Sequence, residues 1–240
     1  MLAQLRHPNI LAVYALVREP AIVVMELSPR GSLSSYLAAS VPDGQAWPAR
    51  IDILRGIAAG VEFLHTQSPP IVHLDLKSDN IVLSDNLMPK IADLGLAVRV
   101  DAQLRASRVK VCRGTPSFMA PEVARQEPVA LYEAIDVYGV GVIVLDVVNS
   151  NVLGVPWVPP TPSAIAREIS DFAVTIPEEA PEPLAQLIAE CMAVPPLQRP
   201  TIGVVLRRLA AMRPSGRVSG AAVSVGATTD LDIRIMHDDV

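Results

Sequence analysis

The sequence predicts an α+β fold in which a pair of N-terminal strands precedes a mostly helical body. Three observations carry this. Residues 10–17 and 21–27, "ILAVYALV" and "AIVVMEL", are short apolar runs joined by the turn-forming "REP". From Ala49 to His65, Ile51, Leu54, Ile57, Ala58, Val61 and Leu64 share one helical face, and helical patterns return over 132–148, 163–170, 182–193 and 201–212. Between them, "IVHLDLKSDNIVL" (71–83) begins and ends like a buried strand but holds ionisable groups at its centre, and "KIADLGLAV" (90–98) is a second apolar segment holding one acid.

Taken in order, the two strands lead through "SPRGSLSSYLAA", which opens with turn residues, into a short helix. The amphipathic helix from Ala49 follows, then the two short-strand segments. Residues 99–119 read as basic and irregular, with Arg99, Arg105, Arg108, Lys110 and Arg113. The run "VYGVGVIVLDVV" (137–148) is too short to span a bilayer and carries Asp146, so it reads as a buried helix. A Pro-rich connection, "VPWVPPTPS", separates it from the helix expected at 163–170, and its P-x-x-P spacings read as a rigid loop rather than a peptide ligand. After Pro214 the residues are small and weakly patterned, which predicts a flexible tail over 214–240.

Composition narrows the function. Half of the 240 residues are apolar, enough to bury a sizeable core. A formal net charge of −5 argues against a nucleic-acid surface, which would need a basic face. Cys112 and Cys191 are isolated, which excludes a disulfide framework or a zinc knuckle and suits a reducing compartment. The opening "MLAQLRHPNI" has no apolar signal-peptide core, so the expected location is cytoplasmic, with no membrane span.

Ionisable groups between buried strand ends cost stability unless they are paired or have a task. Together, "HLDLKSDN", "DLG", "GTPSFMAPE", "DVYGVG" and "LQRPT" resemble the eukaryotic protein kinase family, in family order and spacing, over residues 2–212. One such motif would be weak, and Asp75 or Asp93 alone would read as a turn or cap residue. Five in order are specific. The resemblance implies a protein-kinase-like fold, with a mostly helical C-lobe and only a remnant of the N-lobe β-sheet. The kinase domain would cover 1–213, divided into an N-lobe remnant at 1–27 and a C-lobe at 28–213.

The resemblance also implies roles. Asp75 would accept the proton of the substrate hydroxyl, and Lys77 would face the γ-phosphate of ATP. Lys77 marks the Ser/Thr type, the resemblance as a whole is to the tyrosine-kinase-like group, and Thr115 would hydrogen-bond Asp75 and Lys77. Asn80 and Asp93 would hold Mg²⁺ through oxygen atoms, as a hard cation requires. Met25 as gatekeeper, Glu26, Leu27 and Ser28 of the hinge, and Val82 would meet the adenine. His73 would be structural, Asp136 would either cap its helix or anchor the catalytic loop, and Glu122 with Arg199 would form a buried ion pair. The implied partners are ATP and a protein substrate, in a signal-transduction setting.

The sequence departs from the family in three places. No lysine precedes Lys77 and no glycine precedes Gly31, so the Gly-rich phosphate loop and its strand lysine are absent and the domain is expected to be truncated. Leu74 stands where "HRD" has arginine, which suggests control without activation-loop phosphorylation, and Ser107 reads as a solvated serine. Leu94 replaces the phenylalanine of "DFG". Two competing readings follow: a catalytically inactive kinase-fold binding module, and a small-molecule kinase of the aminoglycoside or choline type. "GTPSFMAPE" and "QRPT" argue against the second.

Overall fold

The computed structural model describes residues 5–39, 47–107, 110–111, 114–149, 172–176, 181, 183–212, 221–225 and 233–234. Strands β1 (Val13–Val17) and β2 (Ile22–Met25) pair antiparallel, Val17 opposite Ile22 and Val13 opposite Met25. Helix α1 (Leu33–Ala38) is capped by the Ser32 hydroxyl, which accepts from Ser35 N, and α2 (Trp47–His65) follows. The next four strands are short: β3 (Ile71–Val72), β4 (Ile81–Leu83), β5 (Pro89–Ile91) and β6 (Val98–Arg99). They pair as β3 with β6 and β4 with β5, both antiparallel. Then come α3 (Ala102–Ser107), α4 (Pro121–Ala124), α5 (Glu133–Asn149), strand β7 (Phe172–Ile176), α6 (Pro183–Cys191), α7 (Ile202–Ala211), and strands β8 (Ala221–Val225) and β9 (Ile233–Arg234).

The expected α+β organisation is present, and its centre is α5. Val137, Val140, Val142, Ile143, Leu145 and Val148 are all buried, so this helix is apolar around most of its circumference, as a helix inside a core must be. Helices α2, α6 and α7 present their apolar faces to the same core, through Leu54, Ile57 and Val61 on α2, Leu184, Leu187 and Ile188 on α6, and Val205 and Leu209 on α7. No helix among the described residues is long and apolar enough to cross a membrane. The hairpin β1–β2 differs from this body. Tyr14, Leu16, Val17, Ile22, Val23, Val24 and Met25 are 43–63% exposed, so both of its faces are uncovered by described residues.

The structure adds two features that the sequence does not predict. Within the irregular basic stretch, Ala102–Ser107 is helical: "AQLRAS" is rich in good helix formers, and the Asp101 side chain accepts from Leu104 N at 2.8 Å. In the stretch assigned to a flexible tail, β8 pairs antiparallel with β7, Phe172 opposite Val225, and β9 with β8. That ladder joins segments some 45 residues apart, which no local pattern announces. The expected helix at 163–170, the Pro-rich connection before it, Cys112, Arg108 and Arg113 lie outside the described residues.

The APE segment is fastened to the body by Arg199. Its guanidinium makes two parallel bonds to Glu122, both 2.7 Å, and donates to the carbonyls of Ala193, Ala134 and Val194. The guanidinium also lies 5.1 Å from the centre of the Tyr138 ring, whose hydroxyl burial pushes up to about 12. Removing one partner strands a buried charge, so Arg199→Ala is expected to cost about 3–5 kcal/mol of stability. Urea unfolding followed by circular dichroism measures this, and a loss below about 1 kcal/mol would contradict it.

Candidate active site

The segment between β3 and β4 is built around a buried carboxylate below it. Asp136 accepts from the backbone N–H of His73 at 2.8 Å and of Leu74 at 2.9 Å, and His65 Nε2 lies 2.8 Å from the same carboxylate. Asp136 therefore anchors the loop; it lies inside the first turn of α5 rather than at its cap. The His73 ring is fully buried. Its Nε2 is 3.0 Å from the Ala92 carbonyl while Nδ1 accepts from Asp75 N at 3.3 Å, which fixes the Nε2–H tautomer.

These bonds hold Leu74 at φ +67°, a left-handed conformation that a leucine avoids at a cost of order 1–3 kcal/mol. Gly114 crosses directly over it. With φ +117° and a hypothetical Cβ only 2.9 Å from the Leu74 carbonyl oxygen, no other residue fits there. This close crossing brings Thr115 onto Asp75. From the other side Gly139 of α5 lets Leu76 approach, since a Cβ there would meet Leu76 Cβ at 3.0 Å.

Four of the expected site residues form one hydrogen-bonded cluster. Asp75 Oδ1 accepts from both the backbone N–H and the hydroxyl of Thr115, each at 2.7 Å. Lys77 Nζ donates to the Thr115 hydroxyl at 2.6 Å and lies 3.1 Å from Asp75 Oδ2. Asn80 Nδ2 donates to the Asp75 carbonyl at 2.9 Å and to Oδ2 at 3.2 Å. Burial alone would raise the Asp75 carboxyl, but the Thr115 and Lys77 hydrogen bonds and the Lys77 charge outweigh it and hold it below its ordinary value. Asp75 is thus an ionised acceptor with a fixed orientation.

Asp93 is brought near this cluster without joining it. The β4–β5 ladder puts Ile81 opposite Ile91, and Ala92 N donates to the Asn80 carbonyl at 2.8 Å, so Asp93 follows one residue beyond Asn80's partner. Its backbone is left-handed (φ 53°), its side chain accepts from Gly95 N at 3.3 Å, and it is exposed. The donor chemistry fits Mg²⁺. Asn80 spends its amide nitrogen on Asp75, which leaves its side-chain carbonyl oxygen for a cation, and Asp93 offers an exposed carboxylate. No group of three or more His, Cys, Asp or Glu among the described residues could cage an ion. Mg²⁺ with phosphates and water completing its shell needs only one or two such protein oxygens.

The expected adenine contacts form a separate group tied to β4. Leu83 N donates to the Gly31 carbonyl at 2.9 Å, Arg30 N donates to the Leu83 carbonyl at 3.2 Å, and Ser32 bridges Val82, so the segment after β2 lies against β4. Glu26 N donates to the Ala12 carbonyl at 2.9 Å while its carboxylate pairs with Lys90 at 3.0 Å. Met25 and Leu27 are open, Leu27 at 84% exposure, and the buried Ser28 hydroxyl has no partner. Sequence reasoning missed three groups that support the cluster: His65, the Ser78–Asp146 contact, and the Ser34–Asp79 bond of 2.6 Å. Only Asp146 carried a signal, as an acid inside an apolar run.

Comparison with known proteins agrees with this geometry. Residues 1–209 match the family model described as protein kinase domain. The chain is 31% identical over 88% of its length to the probable serine/threonine-protein kinase drkC of Dictyostelium discoideum. It is 33% identical over 86% to the serine/threonine-protein kinase CTR1 of Arabidopsis thaliana, and 31% over 89% to the probable leucine-rich repeat receptor-like protein kinase IMK3 of the same plant. It spans 28%, 25% and 29% of the length of these three relatives. With the family model covering most of the chain and these motifs in place, this chain belongs to the protein kinase family.

Proposed function

We propose that this domain transfers the γ-phosphate of ATP to serine or threonine hydroxyls of protein substrates. The carrying observation is the Asp75–Thr115–Lys77 cluster, in which an ionised carboxylate is oriented by two bonds from Thr115 and flanked by an ammonium group. In this reading Asp75 orients the substrate hydroxyl and takes its proton, while Lys77 neutralises charge on the phosphate in flight. Asn80 and Asp93 would hold Mg²⁺, which would supply positive charge against the phosphates. Met25, Glu26, Leu27, Ser28 and Val82 meet the adenine. The serine/threonine class rests on Lys77 and Thr115 and on the names of the relatives.

A second reading, a kinase-fold binding module without catalysis, is favoured by one observation: residues 1–240 hold no lysine before Lys77 and no glycine before Gly31. The test is transfer of labelled γ-phosphate to a generic protein substrate by the protein that naturally carries this domain. Asp75→Asn is expected to lower the rate at least about 100-fold. Equal rates for the two proteins would favour the binding module.

A further inference from the structure

The turn that carries the site is held from two directions by residues with no part in the reaction. Between Lys77 and Asn80, the 3₁₀ turn Ser78–Asn80 places Ser78 in the core, 2% exposed, and Asp79 in solvent. The Ser78 hydroxyl donates to Oδ2 of Asp146 on α5. Asp79 Oδ1 accepts from the Ser34 hydroxyl of α1 at 2.6 Å. The flanking side chains, Lys77 and Asn80, both reach Asp75. Residues 77 and 80 thus face the reaction, while 78 and 79 are tethered to two different helices.

Asp146 is the costly part of this arrangement. Asp146 itself is half-buried, between Leu145 and Val147 at 0% and 1% exposure, and a carboxyl withdrawn this far from water is unfavourable unless a specific bond repays it. That bond goes to Ser78, across 68 residues of chain. We propose that Asp146 is a positioning residue: acting through Ser78, it sets the turn from which Lys77 and Asn80 reach Asp75. What the turn is used for rests on the phosphate-transfer reading; the tether itself does not.

The tether has a titratable member. Burial raises the Asp146 carboxyl, the Ser78 hydrogen bond opposes this, and the Asp79 carboxylate raises it further, to about 7. The charged groups nearby are the Asp79 carboxylate on the turn, bonded to Ser34 of α1, and the buried Arg50 guanidinium of α2, which donates to the Val147 carbonyl at 2.7 Å; Lys77 is committed to Asp75 and Thr115. An ionised Asp146 only accepts from Ser78, whereas a protonated one can donate to it and reorient the hydroxyl. Because the folded carboxyl titrates above its unfolded value of 3.8, its contribution to stability is complete below that value and is lost as pH rises through about 7.

The experiment uses residues 1–240 and two readouts. In nuclear magnetic resonance spectra recorded on either side of neutral pH, the amides of Ser78, Asp79 and Asn80 are expected to shift together with a midpoint near 7. Asp146→Asn is expected to abolish that titration. In calorimetric titration with ATP and Mg²⁺, Ser78→Ala and Asp146→Ala are each expected to weaken binding roughly 10-fold, and the double variant no further. Asp146→Asn, which can still accept from Ser78, should stay within about 3-fold of the parent. Ser78→Ala alone keeps the affinity arm informative if Asp146→Ala fails to fold. Amides that titrate alike in Asp146→Asn, or additive losses in the double variant, would overturn the proposal. Failure of the unmodified chain to bind ATP and Mg²⁺ would reflect its one-sided nucleotide site and leave the phosphate-transfer reading to the labelled-phosphate test, while the amide titration would still decide the tether.

Discussion

Residues 1–240 on their own are expected to transfer phosphate at a rate at least about 100- to 1,000-fold below that of a protein kinase domain that carries a Gly-rich phosphate loop and its strand lysine. Phosphoryl transfer is accelerated almost wholly by position and electrostatics, so each missing phosphate contact is felt directly in the rate. The cluster on Asp75 meets the nucleotide from one side only. No lysine or glycine precedes the hinge in this chain, and β1–β2 presents two exposed apolar faces instead of a phosphate cradle. Glu26 adds no free charge there, because its carboxylate is already engaged by Lys90 at 3.0 Å. Labelled-phosphate transfer to a generic protein substrate measures the rate. Robust turnover by residues 1–240, abolished by Asp75→Asn, would show that the one-sided site suffices.

What was legible in the sequence were features whose physics is local or whose motif is rigidly spaced. Helix α5 announced itself because a run as apolar as "VYGVGVIVLDVV" must be buried, and α2 because its apolar residues recur on one face. Asp75, Lys77, Asn80 and Thr115, four of the five residues that the motifs mark for catalysis and metal, meet in one cluster. The strands around them explain why: once "IVH" and "NIVL" are buried, the polar residues between them are forced to one end of the short sheets. Asp93 is placed less tightly than its motif suggests, with its side chain turned to Gly95 N.

What was not legible depends on distant partners. Ser78 and Ser34 are residues that usually sit in solvent, and nothing nearby marks one for Asp146 and the other for Asp79. Asp146 stood out as a charge in an apolar run, but its meaning came only from a loop 68 residues earlier. Helix α3 was hidden by the arginines around it, and β7–β8 by the separation of its strands. Pairings that close long loops leave no local trace, because their energy is gained only once the chain has folded.

In the protein that naturally carries this domain, Ser107→Ala is expected to change the transfer rate by no more than about 2-fold, while Asp93→Asn lowers it at least about 100-fold. The contrast follows from Leu74. An arginine at that position would put a charge beside Asp75 and give an activation-loop phosphate something to engage. Here the side chain is apolar and 6% exposed, and its backbone N–H is taken by Asp136. The nearest described arginine to Ser107, Arg105, is also committed: it makes paired bonds to Glu133. Burial would raise the Glu133 carboxyl, and bonding to Arg105 more than reverses this, so the pair stays charged. It fastens α3 to the first turn of α5, the same turn whose Asp136 holds the backbone of His73 and Leu74. Ser107 itself only bonds back to the carbonyls of Gln103 and Leu104 in its own helix. On the proposed reading Asp93 has no substitute, since an amide in its place would remove the one charged oxygen of the two proposed to hold Mg²⁺. Initial rates of the two variants at saturating ATP and Mg²⁺ decide the matter. A large loss in Ser107→Ala that Ser107→Glu restores would mean that a phosphate on the loop reaches the site by a route other than Leu74.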